Sequence, residues 1–398
     1  MKPQLKMRCL VKHFRKSFWV ISAVLVLIAG WLSIRLLTEE APVAEIRLGI
    51  SLPLSSINEE LGKSVLQGAQ AAFQAANSQG GIAGKPIRLI AYDDKYEPQI
   101  TLANTRKLLE KDRVFALFGF VGTPTVKNIL PMIGDTPFVA PYTGASFLRD
   151  PSRSNLVNFR SSYRDEIQKI VDHLVAQRNF KRFAIFYQND DYGIEGYNAT
   201  IAALRKHKLS LVGEGTYKRN TLSVRHALNE IKGSHPEAII IVGAYKPSAY
   251  FIREARRCCD AGVVFAPISF VNADALVAEL GNATEGILFS QTVPAYDDRT
   301  MPAVRSFRRD LTRFAPEAKP TFAALEGYLA ARAVVAALRK RSGRIDRERF
   351  LEALQTLRAD DLEGLPIRYR NTQLLNRVYL STFHDGAFHP LAHAGGEQ

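Results

Sequence analysis

A repeated alternation of short apolar runs with stretches of helical periodicity constrains this chain more than any other feature of it. Residues 46–53 (IRLGISLP), 87–94 (IRLIAYDD), 114–120 (VFALFGF) and 137–142 (PFVAPY) form a first series of runs. The pattern restarts around 156–162 and continues through 182–188 (RFAIFYQ), 209–215, 238–244 (AIIIVGA), 263–270 (VVFAPISF) and 286–293. Between them the spacing is helical; over 59–77, for example, Leu61, Val65, Leu66, Ala69, Ala72, Phe73 and Ala76 recur on one face. The runs are apolar throughout rather than alternating. That is the mark of strands covered on both faces, as in parallel sheets flanked by helices. The predicted fold class is therefore α/β, with two doubly wound lobes. Toward the end the pattern changes: long helices near 320–341 and 346–357, then a strand pair at 365–371 and 376–386.

Net charge is +14 over 398 residues, a value that raises nucleic acid as a partner. The distribution argues against it. Half of that charge comes from Lys2, Lys6, Arg8, Lys12, Arg15, Lys16 and Arg35, in a first stretch of 38 residues without an acid. The remainder intersperses acids with bases and shows no basic stripe, so no nucleic acid is expected. Residues 17–34 (SFWVISAVLVLIAGWLSI) carry no charge. As a helix they would span about 27 Å, close to a hydrocarbon core. The preceding bases place the N-terminus in the cytoplasm and the body outside. An uncleaved anchor over residues 17–37 in the inner membrane is favoured. A cleaved signal is the alternative, although 41-APVA-44 is a poor cleavage site. Either way the body is exported to the periplasmic side.

In open α/β sheets ligands bind beyond the carboxyl ends of the strands. The residues to inspect are therefore Gly122, Thr123, Pro124 and Thr125; Tyr142, Thr143, Gly144 and Ala145; Asp190 to Gly193; Ala244 and Tyr245; and Asn272 to Asp274. Gly122 and Thr123 fall where a strand becomes a helix. Free N–H groups and a hydroxyl there suit an anion such as a carboxylate, though a Thr that only caps the helix looks the same. Asp274 suits a ligand ammonium, or again a cap. Tyr192 and Tyr245 offer ring faces and hydroxyls for closing over a small ligand.

Catalytic and metal signatures are poor. Gly-x-Ser-x-Gly does not occur, His173 and His207 lack a paired nucleophile, and Asp93 with Asp94 reads as turn chemistry. Cys9, Cys258 and Cys259 make neither a disulfide framework nor a four-ligand metal pattern. His384, His389 and His393 read as a polar terminus. The chain is read as a non-enzyme without cofactor or metal.

The motifs 80-GGIAGKPIRL-89, 92-YDDKYEP-98, 119-GFVGTPT-125, 141-PYTGASFLR-149, 191-DYGIEG-196, 243-GAYKP-247, 269-SFVNADAL-276 and 286-GILFSQTVP-294, in this order, carry a resemblance. Over about residues 45–390 the chain resembles the periplasmic binding proteins of the branched-chain amino acid and amide type, the substrate receptors of ABC importers. The resemblance implies two Rossmann-like lobes joined by three crossovers, near Phe159, Thr292 and Pro366. Lobe 1 would be 45–158 plus 294–364, and lobe 2 would be 161–290 plus 366–390. Residues 1–38 would be the basic leader, 39–44 a linker and 391–398 a tail. It also implies a ligand carboxylate on Thr123 and the Tyr142–Thr143–Gly144 turn, an ammonium on Asp274, and flanking Tyr192 and Tyr245. Two departures are an Asp where relatives carry Glu, and Leu61 where some leucine binders carry Tyr. An amino acid, an amide, a urea or another small organic acid all remain open as ligand. Expected partners are that small molecule and the permease subunits of an ABC transporter, or else a membrane sensor.

Overall fold

The structure is a computed structural model that describes residues 45–340 and 346–391. The expected leader, linker and anchor, and all but the first residue of the expected tail, lie outside the described residues. Among the described residues no helix is long and apolar enough to cross a membrane.

The body from residue 45 on is one compact unit built around two parallel sheets. In the first, β1 (Ile46–Leu52), β2 (Ile87–Asp93), β3 (Ala116–Phe118), β4 (Phe138–Val139) and β5 (Leu156–Val157) lie in the order β2-β1-β3-β4-β5. In the second, β6 (Phe183–Gln188), β7 (Leu211–Tyr217), β8 (Ala238–Val242) and β9 (Val264–Pro267) lie in the order β7-β6-β8-β9. Strands β3, β4, β6 and β8 are buried along their whole length, as their unbroken apolar runs require. Each order reverses direction once, beside β1 and β3 in one sheet and β6 and β8 in the other, and ligands bind at such points.

Helices α1 (Glu59–Asn77), α2 (Pro98–Arg106) and α3 (Thr123–Ile129) belong to the first lobe. The second carries α4 (Tyr163–Arg178), α5 (Asp191–Lys206), α6 (Arg225–Lys232), α7 (Tyr245–Cys258) and α8 (Ala273–Leu280). The chain then returns through α9 (Pro302–Phe314), α10 (Phe322–Arg339) and α11 (Arg347–Gln355), and α10 packs on α1. That packing is close enough to need glycine: a Cβ on Gly68 would lie 1.9 Å from the Ala324 carbonyl oxygen. Two of the three crossovers run side by side. Asn158 N–H donates to Thr372 O at 2.8 Å, and Leu375 N–H donates to Phe159 O at 2.8 Å.

The terminal strand pair differs from the sequence reading. β11 (Tyr379–His384) and β12 (Ala387–Pro390) form the hairpin, and β10 (Phe289–Gln291) joins it antiparallel. Residues 365–371 form no strand; left-handed φ values at Asn371 and Thr372 fold them into the third crossover. His384 and His389 are paired hairpin residues with stacked rings, not a loose terminus.

Candidate functional site

The residues expected at the strand ends divide into two groups. Thr123 and Thr143 meet in the first. Thr123 opens α3 just beyond β3, Thr143 follows β4, and their hydroxyls hydrogen-bond at 2.7 Å in full burial. A parallel bridge between Val121 and Tyr142 holds the two loops together. Gly122 has φ 110°, and a Cβ there would lie 2.4 Å from the Tyr96 ring, so glycine makes room for that ring. Three backbone amides of these loops are engaged within the protein. Gly122 N–H donates to Tyr142 O at 3.2 Å, Tyr142 N–H to Phe120 O at 2.7 Å and Thr143 N–H to Pro141 O at 2.9 Å. Beside them the loops present the Thr123 and Thr143 hydroxyls.

Aromatic rings from the facing lobe close over this pair. Tyr192 sits in the first turn of α5, its N–H capped by Asp190, and its ring centroid is 4.6 Å from that of Phe270. Phe270 also meets Tyr96 and Tyr142 of the first lobe, each at 6.1 Å, and Tyr163 at 6.4 Å. Tyr163 lies against Gly144, whose carbonyl accepts its backbone N–H at 2.9 Å. Burial raises the pKa of Tyr96, Tyr142, Tyr163 and Tyr192, so all four are neutral hydroxyls.

Beneath the rings lies a buried charge cluster. The Arg160 guanidinium stacks on Tyr142 at 4.4 Å and stands between Glu166 (3.7 Å) and Glu326 (3.5 Å). Glu166 accepts from Ser269 N–H, Ser269 Oγ and Ser290 Oγ, and Glu326 from Thr292 Oγ1. Burial holds the Glu326 carboxyl above the ordinary value, opposed by Arg160. The cluster joins a crossover (Arg160) to an element of each lobe, α4 and α10.

Tyr245 and Asp274 form the second group. They line a cavity of about 630 Å³ with Glu59, Glu60, Lys246 and Lys319, between the N-terminal end of α1 and helices α7 and α8. Asp274 already has a protein partner, since its Oδ2 accepts the Phe322 N–H at 3.0 Å. Burial pushes its carboxyl up to about 6. The lobes meet at further points around the rim: Arg219 with Glu97 at 3.0 Å, Lys127 with Asp191 at 2.6 Å and Ser146 N–H with Glu195 at 2.7 Å.

Tyr96, Arg160, Tyr163 and Phe270 were not among the residues expected here. Phe270 is hidden at the end of the run 263–270, while β9 stops at Pro267. Tyr96 lies in a turn held by Asp94, whose Oδ1 accepts its N–H. Arg160 and Tyr163 flank a crossover without periodicity.

Two open sheets whose carboxyl ends face each other across a closed aromatic cleft form the frame of a binding protein. The sequence profile of the family described as Periplasmic binding protein matches residues 45–386. The chain belongs to that family. A solved structure described as a "possible leucine/isoleucine/valine-binding protein" from Rhodopirellula baltica SH 1 has 35% identity and TM-score 0.83, covering 89% of this chain and 98% of the other. Leu/Ile/Val-binding protein homolog 7 of Brucella suis biovar 1 is 23% identical over 77% of this chain and 80% of its own length. An amino acid binding protein of Pseudomonas aeruginosa is 24% identical, but the match spans 54% of this chain and 58% of that protein. The family has the type I periplasmic binding protein fold, in which this chain's two lobes and three crossovers find their place.

Proposed function

We propose that this chain is the extracytoplasmic solute receptor of an ABC importer, binding a small amino acid or amide-like ligand between its lobes. We take the lobes as 45–158 plus 294–364 and 161–290 plus 366–390. The observation that carries the reading is the meeting of buried hydroxyls with a facing set of rings. Thr123 and Thr143 reach the interface from the first sheet, and Tyr192 and Phe270 from the second. Hydroxyls suit the polar end of a small solute, and the rings suit an apolar body. The relatives named for leucine, isoleucine and valine support the same ligand class. Gly122, Tyr142 and Gly144 shape the hydroxyl end; Tyr245 and Asp274 stand at the mouth between the lobes.

The test is a thermal-shift panel of amino acids, amides, ureas and small carboxylates on the purified chain. A ligand at one hundred times its Kd stabilises by about 2.7 kcal/mol, a readable shift. A hit with one-to-one stoichiometry by calorimetry supports the receptor reading. No stabilisation by any member of the panel sinks it.

A further inference from the structure

Tyr163 opens α4 immediately after the crossover from β5, and it is 1% exposed. Its phenol has no hydrogen-bond partner. Buried polar groups are almost always paired, and an unpaired one bears its full desolvation cost. The ring cannot swing away to find water. A Cβ on Gly144 would lie 2.5 Å from Tyr163 Cδ1, and Tyr192 lies at 5.4 Å on another side. The phenol lies toward the hydroxyls of Thr143 and Thr123 without reaching hydrogen-bond geometry with either. Those two hydroxyls bond to each other, which uses one of their two hydrogens. Arg160 Nη1, also fully buried, has no partner either.

The balance is a surplus of donors: a phenol, one threonine hydroxyl and a guanidinium N–H₂. The neighbouring carboxylates take hydrogen bonds from other groups, Glu166 from Ser269 and Ser290 and Glu326 Oε2 from Thr292, while Glu326 Oε1 stands 3.5 Å from Arg160 Nε. Donors gathered without an acceptor fit oxygen atoms that carry negative charge, and hydrogen bonds to such atoms are the strong ones. A primary amide fits worse, because its oxygen is neutral: the hydroxyls can take a hydrogen bond from its NH₂, but they lose the stronger charge-assisted bonds that a carboxylate oxygen accepts. Arg160 opposes one of the two charges on Glu166 and Glu326, and Arg149, whose charge also reaches Glu326, opposes the other, so a further carboxylate does not meet two unopposed acids.

We propose that Tyr163 is a solute-contacting residue: its phenol donates to a carboxylate oxygen of the bound solute beside the Thr123–Thr143 pair, and so selects a free carboxylic acid over its amide. This rests on the receptor reading above. The test uses the full chain in mild detergent and calorimetry with L-leucine, 4-methylpentanoate and benzoate, each beside its primary amide. The parent binds at least one acid more tightly than its amide. Tyr163→Phe keeps the ring and removes only the hydroxyl; affinity for that acid falls about tenfold, while the amide changes little. Thr143→Val, the second variant, moves the same ratio in the same direction. A purely structural role would weaken acid and amide alike. An acid-to-amide ratio unchanged by Tyr163→Phe overturns the proposal and leaves the receptor reading standing, as does a parent that prefers the amide. A parent that binds none of the six also overturns the proposal, and the receptor reading then stands or falls on the wider thermal-shift panel.

Discussion

The carboxylate of Asp274, on α8 of the second lobe, accepts the backbone N–H of Phe322, the first residue of α10, at 3.0 Å. One lobe thereby holds the first turn of a helix that packs in the other. An acid so placed gains from the helix dipole and satisfies an N–H that the helix itself leaves unbonded. The sequence reading gives this carboxylate to a ligand ammonium, and the two roles predict different things. As a contact between lobes, Asp274 favours the closed form whatever the ligand. Asp274→Ala should then weaken binding of an amino acid and of its deaminated acid by the same factor, about fivefold to tenfold. Calorimetry with L-leucine and 4-methylpentanoate measures it. A loss confined to the ligand bearing the ammonium would return Asp274 to the sequence-based role.

Gly68 tests the packing under the first lobe. A Cβ added to Gly68 would lie 1.9 Å from Ala324 O, and one added to Gly327 would lie 2.4 Å from Val65 O, so both glycines let α1 and α10 come close. Both contacts are to backbone, which cannot rotate aside. Gly68→Ala should destabilise by about 3 kcal/mol, the upper end of ordinary overpacking. Gly233→Ala is the control, with nothing within 4 Å of its Cβ position. Denaturation midpoints of the two variants should differ clearly. If they match, the helices have room to separate and the close approach is not a constraint.

How much of this was legible depended on where each residue sat. Thr123 and Thr143 stood out because a strand ends before each, and strand ends follow from the apolar runs. Asp93 and Asp94 also serve turns, as their positions suggested. Phe270 escaped because an apolar residue after an apolar run looks like more strand; Pro267, which has no N–H to give a neighbour, was the available stop signal. Arg160 and Tyr163 escaped because a crossover has no periodicity to mark it. The hairpin was misplaced although Asp385-Gly386 is a strong two-residue turn signal, with both residues at positive φ. For Asp274 the helix start was correctly placed, but which neighbour its side chain meets is set by the other lobe. No local pattern contains that.

Asp94 should give stability a dependence on pH. It is fully buried and accepts from Ser51 Oγ at 2.9 Å, Tyr96 N–H at 2.9 Å and Thr101 Oγ1 at 3.1 Å. Burial pushes its carboxyl up to about 7, outweighing the hydrogen bonds that favour the charged form. The unfolded value is about 3.9. A carboxyl held higher in the folded state favours folding in its protonated form. That contribution is complete below the unfolded value and is lost as pH rises through about 7. Asp94→Asn cannot ionise, so the difference in urea midpoint between parent and variant should shift in the variant's favour between about pH 4 and pH 8. A difference that stays constant across that range would mean Asp94 does not titrate there.

The Arg160 cluster predicts non-additive costs. Arg160 is fully buried between Glu166 and Glu326, which are themselves buried, so removing it leaves two carboxylates facing a dry interior. Breaking such an arrangement by deleting one partner costs about 3–5 kcal/mol. Arg160→Met keeps most of the volume and should fall in that range by urea denaturation. Glu326→Gln replaces an acid whose carboxyl burial already holds above its ordinary value, and should cost much less alone. In the double variant one surplus charge is gone, and the amide oxygen introduced at position 326 can still accept from Thr292. The double variant should therefore be more stable than Arg160→Met alone. Strictly additive costs would show that the three side chains share a place without sharing charge, and that the crossover is held by packing alone.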